Sequence, residues 1–213
     1  MRKNPGAQGH HVALTGASHP TLASAPLSAL PPFPRGAARA LPVVPGLALR
    51  PARSADLPFL LKLYGETRAV ELGVAPWPEA QKQAFIKDQF RLQHLHYLQR
   101  NPTADFWVIE RIDPDGRRET IGRLYLDRSD REWKAIDLSL LAKARGAGLG
   151  GALIRAIQTA AVEAGADALS LYVEKTNHGA RRLYARLGFE EEPSAFPSHI
   201  RMRWRGLETP PTT

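Results

Sequence analysis

The stretch IDLSLLAKARGAGLGGALIRAI, residues 136–157, decides how the rest of the chain is read. Ile136 to Leu141 is an apolar run with one acid and one serine, of strand length. From Arg145 onward, Gly146, Gly148 and Gly150 alternate with Ala147 and Leu149, and Gly151 follows directly. Leu149, Leu153, Ile154 and Ile157 recur at helical spacing, so a helix opens inside the turn. Glycines let backbone approach a ligand closely, and the free N–H groups of a helix start favour an anion. The stretch predicts strand, anion-binding turn and helix, with a phosphate or pyrophosphate as guest.

Three phosphate patterns compete for this turn. Gly146, Gly148 and Gly151 satisfy the dinucleotide spacing, and Asp167 stands about where a ribose contact is expected. A dinucleotide turn leaves its strand almost at once, however, and here residues 142–145 intervene. The P-loop pattern fails, because Ala152 stands where its lysine belongs. The third pattern is Arg or Gln, two residues, Gly, one residue, then Gly or Ala. Arg145, Gly148 and Gly150 match it.

This third pattern resembles the acetyl-CoA pyrophosphate loop of the GNAT superfamily of N-acetyltransferases. A second segment strengthens the resemblance. Asn177, Ala180, Leu183, Tyr184, Leu187, Gly188 and Phe189 fall on the family's later motif, Asn-x-x-Ala-x-x-Leu-Tyr-x-x-Leu-Gly-Phe. The two motifs stand in order with a strand between them, and the resemblance covers roughly residues 47 to 205.

Composition sets the outer bounds. The 213 residues allow one domain with a core of ordinary size. With no cysteine there is neither disulfide framework nor thiolate chemistry. No apolar run approaches the roughly 20 residues that cross a bilayer, and a cytoplasmic protein is expected. The net charge is +8, but half the excess lies in residues 1–46, which carry Arg2, Lys3, Arg35 and Arg39 and no acid. The rest lacks a clear basic stripe with interleaved aromatics, so no nucleic-acid partner is expected.

Residues 1–46 are rich in Pro, Ala, Gly and Ser and read as a disordered tail, with an organelle transit peptide as the alternative. Residues 207–213 read as a disordered end, and residues 47–206 as the acetyltransferase-like domain. Leu47 to Arg50 reads as a strand, and Ser54 or Asp56 caps a helix through Tyr64. Gly73 to Pro78 is a loop and Glu79 to Arg100 a long helix. His94 and His96, two apart on that helix, point to different faces and make a poor metal pair; no metal is expected.

Strands follow at Phe106 to Glu110, Thr120 to Leu126 and Trp133 to Leu141, with a turn at Asp113 to Gly116. Gly165 stops the helix after the glycine turn, Ala168 to Val173 is a strand, and Asn177 to Leu187 a helix stopped by Gly188. Phe189 to Glu192 and Ile200 to Trp204 read as a closing hairpin. The expected fold is mixed α/β, a mostly antiparallel sheet with flanking helices, and a right-handed βαβ crossover surrounds the glycine turn.

The resemblance implies acyl transfer from acetyl-CoA, the co-substrate, to a primary amine by direct attack in a ternary complex. It implies that the strands flanking the turn part, with the pantetheine arm between them. Leu138 and Leu140 would then meet that arm through backbone groups. Gly146, Gly148, Gly150 and Gly151 would hold the pyrophosphate beside Arg145, and Asn177 would cap its helix and meet the cofactor. Tyr184 would be the catalytic acid for the departing sulfur. Glu110, Glu132, Asp137 and Glu174 are candidate bases among which sequence does not choose.

The acceptor, a small-molecule or peptide amine, is expected at the region from Tyr64 to Tyr97, with Glu66, Glu71 and Trp77 as candidate contacts. The alternatives are a CoA-binding module without turnover and a dinucleotide-binding oxidoreductase. Monomer and homodimer are both left open, and no membrane partner is expected.

Overall fold

A computed structural model describes residues 26–34 and 44–206, apart from the side chains of residues 70 and 71. The described residues fall into two compact units, residues 26–33 with 53–102 and residues 34 and 44–52 with 103–206. Of the ends expected to be disordered, residues 1–46 and 207–213, residues 1–25, 35–43 and 207–213 lie outside the described residues.

The larger unit is built on a seven-stranded sheet. Its strands are β1 (Leu47–Pro51), β2 (Asp105–Ile112), β3 (Arg118–Asp127), β4 (Glu132–Leu140), β5 (Ala168–Glu174), β6 (Glu190–Glu192) and β7 (His199–Arg205). Their spatial order is β1-β2-β3-β4-β5-β7-β6. Every neighbouring pair is antiparallel except β4 with β5, which run parallel. The expected closing hairpin forms, with β7 inserted between β5 and β6.

The parallel pair needs a crossover, and α3 (Leu149–Glu163) supplies it. Leu153, Ile154 and Ile157 have no exposed surface and pack with Ile109, Leu124, Leu126, Leu169, Leu171 and Phe189. Burying each such aliphatic side chain contributes about 1.5–3 kcal/mol, so the apolar spacing of the opening stretch accounts for the docking of the helix. Gly165, at φ 68°, ends the helix turn, and Ala166 N–H donates back to the Ala161 carbonyl at 2.8 Å. The fourth helix, α4 (His178–Arg186), is closed in the same way. Gly188 takes φ 83°, and Phe189 N–H donates to the Tyr184 carbonyl at 3.0 Å.

The smaller unit holds α1 (Leu57–Gly73) and α2 (Glu79–Arg100), preceded by a 3-10 turn at Ser54–Asp56. Leu57, Leu60, Leu63 and Phe90 are its fully buried side chains. Here the structure differs from the tail expected of residues 1–46. Leu27–Ala29 forms a 3-10 turn, the Pro31 carbonyl lies 2.9 Å from His94 Nε2, and Phe33 meets the His94 ring edge-on at 4.9 Å. The prolines that exclude a helix also hold this segment extended at little entropic cost, so it forms a strap along α2.

Candidate functional site

The site grows out of the parting of β4 and β5. The two strands are in register only from Glu132↔Ala168 to Ala135↔Leu171. Beyond that point β4 continues with β3 alone, as far as Gly122↔Leu140, and β5 continues with β7 alone, as far as Glu174↔His199. Two local features turn the end of β4 toward β3. The ladder shifts register between Tyr125 and Leu126, which gives β4 an extra residue at Ile136 and bends it. Opposite Leu140 stands Gly122, where a Cβ would lie 2.4 Å from the Ser139 carbonyl oxygen and 2.7 Å from Leu140 Cδ2. Only glycine permits that approach. Leu138 and Leu140 therefore sit in the parted half of β4, on the strand where the sequence places them.

The glycine turn follows immediately. A 3-10 turn at Ala142–Ala144 leads to Arg145, whose Nε donates to the Leu140 carbonyl at 2.8 Å. Gly146 and Gly148 take φ 79° and 76°, which glycine adopts without strain, and a Cβ on either would meet nothing within 4 Å. Gly148 is the N-cap of α3, and the helix ladder starts with Ala152 N–H donating to the Gly148 carbonyl. The N–H groups ahead of it have no partner within the helix, and no acid stands in the first turn. Open space, unpaired donors, the positive end of a helix and one guanidinium fit a pyrophosphate. Gly146 and Gly148 lie in this turn, and Gly150 and Gly151 in the first turn of α3.

α4 supplies the other side. The Asn177 side chain accepts from Ala180 N–H at 3.1 Å and caps the helix. Tyr184 packs against the core, with its ring 5.7 Å from that of Phe189. Its hydroxyl makes no hydrogen bond to any described residue. Burial pushes the phenol up to about 12, and the negative charge of Asp137 adds to the effect. Tyr184 is held as an O–H donor with its proton uncommitted.

The four candidate bases are engaged to different degrees. Burial alone would raise Glu110, but bonds from Arg50 at 2.6 Å and Arg118 at 3.3 Å hold it below the usual carboxylate range. Glu132 is likewise raised by burial and lowered further by Ser170, Arg201 and Arg203. A carboxylate held low is a weak proton acceptor. Asp137 accepts from Arg123 Nη2 at 2.6 Å and from Ser139 Oγ at 2.7 Å. Glu174 ends β5 opposite His199. Sequence reasoning missed Arg123 as the partner of Asp137; their relation depends on the β3–β4 register, which no motif carries.

In the smaller unit His94 is buried and faces the strap, while His96 is half-buried beside Tyr97. Among the described residues no cluster of His, Asp and Glu could hold a metal. Trp77 meets the Phe85 ring at 5.4 Å, and the Glu71 side chain lies outside the described residues. No described helix is long and apolar enough to cross a membrane.

The fold, a mixed sheet whose single parallel pair parts beside a glycine turn, is that of a class, the acyl-CoA-dependent acetyltransferases. The family profile of the acetyltransferase (GNAT) domain matches residues 47–190, and the chain belongs to that family, whose co-substrate is acetyl-CoA. Solved structures agree in fold. PaiA N-acetyltransferase from Thermoplasma acidophilum, in complex with coenzyme A, is 17% identical with TM-score 0.54, covering 75% of this chain and 98% of its own. A domain from Methanocaldococcus jannaschii is 10% identical with TM-score 0.57, over 75% and 97%. Spermidine N-acetyltransferase from Vibrio cholerae, in complex with CoA and spermine, is 19% identical with TM-score 0.51, over 76% and 96%. No curated protein matches the sequence.

Proposed function

We propose that this protein transfers the acetyl group of acetyl-CoA to a primary amine, by direct attack within a ternary complex. The observation that carries the reading is the parting of β4 from β5 after Ala135 and Leu171, directly upstream of the glycine turn. Backbone groups of Leu138 and Leu140 bond the pantetheine arm, in the manner of an added strand. The N–H groups of residues 146–151 take the pyrophosphate, Arg145 neutralises it, and Asn177 closes the far side. The thioester supplies the activated acetyl group. The amine nitrogen bonds to its carbonyl carbon, the carbon–sulfur bond breaks, and the sulfur takes the Tyr184 proton; the amine proton passes to solvent, from which Tyr184 is reprotonated. Tyr184 is suited to this because its hydroxyl is uncommitted and stays protonated well above neutral pH.

The test is acetyl transfer from labelled acetyl-CoA to a panel of polyamines, peptides and aminoglycosides. Polyamines are included because a neighbouring fold binds spermine. Labelled product with any of these, dependent on Tyr184, supports the reading. Thermal stabilisation by acetyl-CoA and none by NAD(P) separates it from an oxidoreductase; a ligand at 100 times its Kd adds about 2.7 kcal/mol. Stabilisation by acetyl-CoA with no transfer to any amine would leave a binding module.

A further inference from the structure

Residues of the 193–198 loop and the ends of β5, β6 and β7 line a hollow of about 340 Å3, with Lys175, Glu191, Glu192, Phe196 and His199 in its wall. That volume lies within the range of small-molecule sites. Lys175 N–H donates to the Ser198 carbonyl at 3.0 Å, and Ser194 Oγ accepts from Phe196 N–H at 3.0 Å. The loop is thereby braced against the end of β5 and within itself. One aromatic contact joins the hollow to the parted strands. Tyr172, in the half of β5 that has left β4, is 38% exposed and meets the Phe196 ring edge-on at 5.1 Å. Three residues of extended chain separate Tyr172 from Lys175, roughly 10 Å, a span that one small molecule bridges.

The charges of the wall differ in how they are held. Glu191 accepts from Arg181 Nε at 3.1 Å and Nη2 at 2.8 Å, and Glu192 accepts from Arg201 Nη1 at 2.6 Å and Arg205 Nη2 at 3.1 Å. His199 Nδ1 lies 2.9 Å from Ser198 Oγ. The Lys175 side chain makes no ion pair or hydrogen bond among the described residues. Unpaired lysines are common on protein surfaces, but Lys175 stands at a hollow with an aromatic wall whose acids are already held by arginines. A cationic guest would meet no carboxylate without its guanidinium there, whereas an anionic one would meet an ammonium. One ammonium matches the single charge of a carboxylate.

We propose that this hollow takes the far end of the acceptor, and that the acceptor is an ω-amino acid, a primary amine joined through several methylenes to a carboxylate. The inference rests on the acetyl-transfer reading above and names its substrate class. The nitrogen enters the gap between β4 and β5, the methylenes lie along Tyr172 and Phe196, and the carboxylate reaches Lys175. The transfer itself is unchanged: the nitrogen gains the acetyl group, and the carboxylate takes no part in making or breaking bonds.

The experiment measures kcat/KM with acetyl-CoA for two matched pairs, ε-aminocaproate against hexylamine and lysine against cadaverine. It uses the full chain, Lys175→Ala and Lys175→Arg. Within each pair the carboxylate is the difference. The unaltered protein should favour the carboxylate member by about 5-fold or more, the scale of one exposed charged contact, with the gain in KM. Lys175→Ala should bring each ratio near one, and Lys175→Arg should restore part of it. Transfer without that preference, or a preference that survives Lys175→Ala, would overturn the proposal and leave acetyl transfer standing. Transfer to other amines of the wider panel but to neither ω-amino acid would do the same. A rise in acetyl-CoA Kd in Lys175→Ala would give the lysine to the co-substrate and overturn it too. Acetylation of no amine at all would instead remove the acetyl-transfer reading on which it stands.

Discussion

At Tyr184 a single oxygen separates a packing residue from the proposed acid. Because the hydroxyl is unbonded to any described residue, Tyr184→Phe should leave the melting temperature nearly unchanged. The same variant should lower kcat about 10- to 1000-fold while acetyl-CoA affinity is retained. An unchanged kcat in a regime limited by chemistry would take Tyr184 out of the mechanism. The phenol has its own signature in pH. A folded value of about 12 against an ordinary 10 leaves stability untouched below pH 10 and erodes it as pH rises from there toward 12. Denaturation midpoints above pH 10 should fall less steeply in Tyr184→Phe. For the turn, Gly148→Asn is the sharper probe, since Asn tolerates the positive φ that a branched side chain resists. The added side chain enters space that is open in the protein, so acetyl-CoA Kd should rise at least about 10-fold with little change in folding.

The elements were legible wherever one periodicity held over their length. The Leu149–Ile157 spacing announces α3, the glycines at 165 and 188 announce its end and that of α4, and the strand–helix–strand order permits β4 and β5 to be parallel. Where that pair parts was not legible in the sequence alone. It depends on the register shift at Tyr125/Leu126 and on Gly122 facing Leu140, and neither exists until the strands are aligned. The strap was missed because proline-rich composition describes a chain that cannot form a helix or central strand, not one that cannot pack. The motif residues were legible because the family pattern carries them; Arg123 belongs to no motif. One link between elements makes a prediction of its own. Glu132 ties the paired start of β4 to Arg201 and Arg203 of β7 across Ser170. Glu132→Gln should cost about 1–2 kcal/mol at neutral pH, as a charge-assisted bond lost from a half-buried site does. Glu132 is held below its ordinary 4.5, so its contribution is present above that value and lost as pH falls through the lowered one. Chemical denaturation from pH 7 to 3 should therefore show a shallower decline in the variant.

Over the whole molecule the chain enters the helical unit, leaves it for β1, returns for α1 and α2, and leaves again. A chain beginning at residue 34 should melt roughly 2–8 °C below one beginning at residue 26, because buried His94 loses its carbonyl partner at about 1–2 kcal/mol. Equal melting temperatures would show that the strap adds nothing to the fold. The larger unit carries a consequence of its parted strands. Among the described residues, four residue pairs of β4 and β5, with Asp167 N–H donating to the Arg131 carbonyl at 2.8 Å beside them, are the backbone pairing that stitches β1–β4 to β5–β7–β6, so the sheet behaves as two leaves on a short spine. A guest that bonds along the open margin becomes a second seam. Acetyl-CoA should then slow amide deuterium exchange most along residues 136–141. The slowing should also reach amides near the spine that the co-substrate never touches.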